Sequence, residues 1–116
     1  MRYAFYVLLT LLTFEAADAQ AFVGRWYFGD VKTCKGEKGG TQGLLVYTAK
    51  EFIGYESNCR IVGSTPKGAG TELTLRCRAE GATSTDREVI EVRDRQLKRT
   101  TNDAGKKQTF TYSRCP

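Results

Sequence analysis

The residues of this chain that could do covalent or metal chemistry are few: four cysteines, Cys34, Cys59, Cys77 and Cys115, and no histidine anywhere. Without histidine there is no ordinary Ser-His-Asp or Cys-His nucleophile pair. A zinc site is disfavoured as well, because the nearest two cysteines are 18 positions apart and no C-x-x-C occurs. Carboxylates remain. Glu88, Glu91 and Asp94 lie in one stretch with Arg87, Arg93 and Arg95 between them, which reads as a charge lattice across an exposed hairpin. Glycoside hydrolysis would instead need two converging carboxylates in a cleft. The segment CKGEKGGTQG, residues 34–43, is rich in glycine but lacks the G-x-x-x-x-G-K-[ST] pattern of a phosphate-binding loop. The inventory points away from an enzyme and implies no cofactor and no metal.

An even number of cysteines in a short chain is the pattern of two disulfides in an oxidising compartment. The first residues agree. Arg2 precedes an apolar run from Tyr3 to Phe14, and Ala17-Asp18-Ala19 ends it, the order of a secretory signal cleaved after Ala19. The run is shorter than the roughly 20 residues of a membrane-spanning helix. Residues 1–19 are therefore expected to be a cleaved signal peptide and residues 20–116 one small domain, periplasmic or secreted. Cleavage removes Arg2, Glu15 and Asp18 and raises the formal charge from +5 to +6. The basic residues are interleaved with acidic ones, as in DREVIEVRDRQLKR, so a solvated surface is expected and nucleic acid is not a favoured partner.

Strand-like alternation dominates the remainder. Phe22, Gly24, Trp26 and Phe28 alternate with Val23, Arg25 and Tyr27, a period of two. GLLVYTAKEFIGYESNCRIV reads as two strands about a turn at Ala49-Lys50, with Ile53, Tyr55, Cys59 and Ile61 on one face of the second. STPKGAGT is a turn, and TELTLRCRA places Leu73, Leu75 and Cys77 opposite Thr74, Arg76 and Arg78. After EGATS come two short strands about Asp94-Arg95, and NDAGKK turns into QTFTYSR. The expected fold is all-β, a small antiparallel barrel or sandwich of about seven strands. Three disulfide pairings are open. Cys34 in the first loop and Cys59 near a strand end favour Cys34 with Cys59, leaving Cys77 with Cys115. A hairpin centred near Gly68 would set Cys59 against Cys77 instead, an arrangement ranked second because directly opposed bridges tend to be strained.

Gly24 and Trp26 at the start of the first strand, with Arg114 near the end of the last, resemble the lipocalin signature. The resemblance implies that Trp26 plugs the closed end of a barrel and that Arg114 packs across its ring. The same Gly-x-Trp opening is similar to small bacterial metalloprotease-inhibitor barrels. The overall layout, with Tyr55-Glu56-Ser57 before Cys59 and an Arg-Cys end, looks like small four-cysteine exported proteins of Gram-negative bacteria of unknown function. Two functional classes stay open. One is a protein-binding module, an inhibitor of a hydrolase being one form of it, working through its N-terminal segment or through Lys35, Glu37, Lys38 and Gln42 on the long loop. The other is a carrier of a small apolar ligand in a cavity lined by Phe28, Tyr47, Leu75 and Phe110. A barrel this short should fill its own interior, which favours the first.

Overall fold

The computed structural model describes residues 21–116; the apolar leader and its expected cleavage after Ala19 lie outside them. Eight antiparallel strands follow one another around a closed barrel, β1 to β8 in sequence order, with β1 pairing both β2 and β8. They are β1 (Gly24–Tyr27), β2 (Leu44–Tyr47), β3 (Glu51–Gly54), β4 (Ser57–Lys67), β5 (Gly70–Ala79), β6 (Ala82–Arg93), β7 (Gln96–Asp103) and β8 (Lys106–Arg114). Each strand pairs with its sequence neighbour, so the fold is a meander closed on itself, and closure removes the sheet edges where β1 and β8 meet. No described helix is long and apolar enough to cross a membrane.

The eighth strand arises where the sequence suggested one long strand. The chain turns at Tyr55-Glu56, and β3 pairs with β4 across that turn, Phe52 opposite Cys59 and Gly54 opposite Ser57. Phe52 therefore faces the core with Cys59, whereas Ile53 faces outward and Tyr55 sits exposed on the turn. The expected single face of Ile53, Tyr55, Cys59 and Ile61 does not exist. Glu56 makes the turn with φ 53°, a conformation more often given to Gly or Asn, and so the sequence carries no punctuation there. The β5–β6 and β7–β8 turns are better marked: Glu80-Gly81 and Ala104-Gly105 each have positive φ at both residues, the twist that two-residue hairpins prefer.

Alternation then builds the core. Trp26, Leu45, Tyr47, Phe52, Leu73, Leu75, Ile90, Leu97 and Tyr112 all point inward and are buried. The Phe22 ring meets Tyr47 edge-on at 5.5 Å, and Tyr47 lies 4.8 Å from Phe52. These aromatics take up an interior that eight strands make just wide enough either for side chains or for one small ligand.

Two disulfides are present, and neither is the favoured pair. Cys34 bonds to Cys115, and Cys59 bonds to Cys77. Cys59 is inward-facing and 1% exposed, so the Cys34 sulfur, on the outside of the barrel, has no path to it. The β4–β5 register makes Cys59 and Cys77 direct partners, and that register outweighed the general tendency against opposed bridges. Cys34 reaches Cys115 because the connection after β1 folds back along the strand. The Arg25 side chain donates to the carbonyls of Cys34 and Gly36, both at 2.9 Å, while the Arg25 carbonyl accepts the Cys115 N–H at 2.9 Å. Replacing either cysteine pair with serine is expected to cost about 2 to 4 kcal/mol, with the larger loss for Cys34–Cys115 because its loop spans 81 positions against 18. Denaturant midpoints of the two double variants check the order.

Candidate functional site

Three regions concentrate polar or aromatic groups in arrangements that alternation alone does not explain. At one end of the barrel Trp26 is fully buried and its indole N–H donates to the Phe22 carbonyl at 2.8 Å. Trp26 and Arg114 are ladder partners, and the guanidinium carbon stands 4.2 Å from the ring centre, within the range of cation–π attraction. The same guanidinium donates to the carbonyls of Ala21 at 2.7 Å and Val23 at 3.2 Å. Gly24 has φ 142°, and a Cβ there would lie 2.8 Å from Arg114 Nη1. Gly24, Trp26 and Arg114 are thus one constellation: the glycine leaves room, the arginine covers the ring, and two backbone carbonyls hold the arginine.

Inside the barrel lies a polar group that the sequence concealed. Glu88 is 3% exposed. It accepts the Tyr47 hydroxyl at 2.5 Å and the Arg99 Nε–H at 2.7 Å, while the Arg99 guanidinium also lies over the Phe52 ring at 4.9 Å. Glu88 is therefore no member of an exposed charge lattice, because β6 turns it inward opposite Leu73. Burial first, and then the Glu88 carboxylate, push the Tyr47 phenol well above its ordinary value. Burial by itself would lower the Arg99 guanidinium, but the charge of Glu88 and the Tyr47 phenol outweigh it and hold Arg99 above its ordinary value. Every acceptor in the group has a donor, and no buried side-chain N or O among the described residues is left unpartnered. Such a closed circuit offers no free base.

The third region is on the outer surface. A groove of about 690 Å³ runs between Lys38 and Gly39 on the long connection, the β3–β4 turn at Glu56, and the β5–β6 hairpin from Arg78 to Thr83. A second hollow of about 420 Å³ shares Asn58, Arg78 and Thr83 with it and continues over Arg60, Arg76 and Glu51. The groove's near wall is ordered by specific bonds. Asp30 caps a short 3-10 helix, Val31–Lys35, by accepting the Lys32 N–H at 2.9 Å. The Glu37 carbonyl accepts both the Gly40 N–H and the Thr41 hydroxyl, and the Glu56 N–H donates to the Gly39 carbonyl at 3.0 Å.

Lys35, Glu37, Lys38 and Gln42 are all exposed, but only Lys38 lines the groove. The arginines of the second hollow were not singled out from the sequence. The signal for them was present: once Cys59 faces Cys77, the register places Arg60 against Arg76 and Asn58 against Arg78. Of the four residues expected to line a ligand cavity, Tyr47 and Leu75 are 1% exposed in the packed core. Phe28 and Phe110 are 53% and 41% exposed, packed edge-on against each other at 6.1 Å. Among the described residues no cluster of three or more cysteine, histidine or carboxylate groups could hold a metal ion. Comparison with family models, with curated proteins and with solved structures finds no match to this chain.

Proposed function

We propose that this chain is an exported, non-enzymatic β-barrel that works as a protein-binding module, with inhibition of a hydrolase as one form that such binding takes. The observation that carries the reading is where the concave surface lies. The interior is filled by aromatics and by a satisfied Tyr47–Glu88–Arg99 group, whereas the grooves open on the outside beside a loop anchored by Cys34–Cys115. A loop ordered before binding loses less entropy when a partner docks. Two disulfides are compatible with a periplasmic or extracellular setting. The Trp26 end fits the lipocalin-like plug that the Gly-x-Trp opening suggests, and a plug is a structural part.

Changing Lys35 and Lys38 together to serine is the direct test. Folding should be preserved, since exposed substitutions usually shift stability by less than about 0.5 kcal/mol. Capture of a partner from the envelope fraction by the immobilised protein should fall. The carrier reading keeps one observation in its favour, the exposed Phe28–Phe110 pair with Tyr112 behind it at 5.8 Å from Phe28. Native mass spectrometry separates the two. A stoichiometric apolar molecule whose retention ignores the lysine changes and is lost in Phe110→Ser would replace the module by the carrier.

A further inference from the structure

We propose that the outer face of β4, β5 and β6 binds an acidic polysaccharide, with Arg60, Arg76 and Arg78 as the groups that hold its carboxylates or sulfates. The register sets the array. Arg60 stands directly opposite Arg76, and Arg78 lies two residues further along β5 opposite Asn58. On the other side of β5, Arg76 and Arg78 face Thr85 and Thr83 of β6. All three arginines are exposed and floor or flank the hollow of about 420 Å³.

Like charges directly opposite each other in a ladder are destabilising, and an internal partner that offset this pair would make the arrangement a matter of stability alone. None does so here. Among the described residues the ion pairs are Lys67–Glu72 and Arg99–Glu88. Glu51, opposite Arg60 on β3, forms no ion pair with it, and Glu56 and Glu80 lie at the turns that bound the neighbouring groove. Guanidinium groups present a planar fork that takes carboxylate or sulfate oxygens two at a time, and three of them on one face form a multivalent anion site.

The surroundings select among anionic partners. No aromatic side chain alternates onto this face between Asn58 and Val62 of β4, Thr74 and Arg78 of β5, or Thr83 and Arg87 of β6, so the stacking platform that single-stranded nucleic acid requires is missing. The hollow is concave, which suits a chain laid along it better than the plane of a lipid surface. Asn58, Thr83 and Thr85 supply amide and hydroxyl groups able to bond sugar hydroxyls. The inference does not depend on the protein-binding reading: Asn58, Arg78 and Thr83 line both hollows, but Lys35 and Lys38, on which that reading is tested, hold no part of the arginine array.

The test is titration of the intact disulfide-bonded protein with a heparin oligosaccharide and with a polyuronate at about 0.15 M salt, where long-range attraction is screened. Arg60→Gln with Arg76→Gln should weaken binding by about tenfold or more, as loss of two charge-assisted contacts requires. Lys106→Gln with Lys107→Gln removes the same charge at the β7–β8 hairpin and should leave binding within about twofold. The single change Arg76→Gln should leave the thermal midpoint unchanged or raise it, because it relieves the opposed pair. Equal losses in the arginine and lysine variants would reduce the effect to net charge and overturn the proposal. So would single-stranded DNA, or phosphatidylglycerol vesicles, binding more tightly than either glycan with the same dependence on Arg60 and Arg76.

Discussion

Replacing Trp26 with alanine is expected to cost about 3 to 5 kcal/mol, the range for removing a large buried aromatic and leaving a cavity. Trp26 is fully buried beneath the Arg114 guanidinium and gives its only donor to the Phe22 carbonyl. Its loss would leave Arg114 with no ring to cover and the Phe22 carbonyl without its indole donor, so the β1–β8 closure should loosen with it. Chemical denaturation followed by far-ultraviolet circular dichroism reads the loss, and native fluorescence of the parent protein should be blue-shifted. Arg114→Lys keeps the charge but loses the planar fork that spans ring and two carbonyls, and should cost less than Trp26→Ala but more than an exposed substitution. An unchanged midpoint in Trp26→Ala would refute the buried-plug account of this end.

The same end shows how much a sequence pattern can carry. Gly24, Trp26 and Arg114 could be named together because the Gly-x-Trp opening resembles the lipocalin signature, which implies an arginine of the last strand packed across the tryptophan ring. The β5 alternation was equally legible, since Leu73, Leu75 and Cys77 are inward and Thr74, Arg76 and Arg78 outward in TELTLRCRA, and the structure follows that division. The β3–β4 turn was not legible because Glu56 takes a positive φ without glycine or asparagine to announce it. The sequence leaves β6 short for a related reason: Thr83 to Asp86 are exposed and polar throughout, so neither alternation nor apolarity distinguishes them from a loop. It is a strand because β5 holds its backbone from Ala79 to Thr71.

The site was less legible than the fold, and the cause is that sites form across strands. DREVIEVRDRQLKR shows charges of both signs evenly mixed, yet in three dimensions one carboxylate of that stretch is buried against Arg99, and three arginines from other segments gather on one outer face. Linear charge patterning senses neighbours along the chain, and a sheet brings together residues as far apart as Arg60 and Arg76. The disulfides follow the same logic. The rival pairing of Cys59 with Cys77 came from the hairpin register, and it was the relation that held.

Loss of the buried carboxylate is the other large expected effect. Glu88→Ala should destabilise by about 3 to 5 kcal/mol, because it leaves the Arg99 guanidinium, only 20% exposed, without its counter-charge and the Tyr47 hydroxyl without its acceptor. Converting all three together, Tyr47→Phe, Glu88→Leu and Arg99→Met, should be much milder than Glu88→Ala alone, since a buried ion pair replaced whole by apolar groups is often nearly neutral. The group also sets an alkaline limit. The folded-state pKa of Tyr47 is raised above the value of about 10 for an unfolded tyrosine, so its contribution is fully present below pH 10. It is lost as the pH climbs from there towards the folded value. Urea midpoints measured at pH 8 and above pH 10 should therefore fall more steeply for the parent than for Tyr47→Phe, which lacks the titrating phenol while retaining the Glu88–Arg99 pair. Parallel declines in the two proteins would show that other groups govern the alkaline limb and that the Tyr47–Glu88 bond contributes nothing to it.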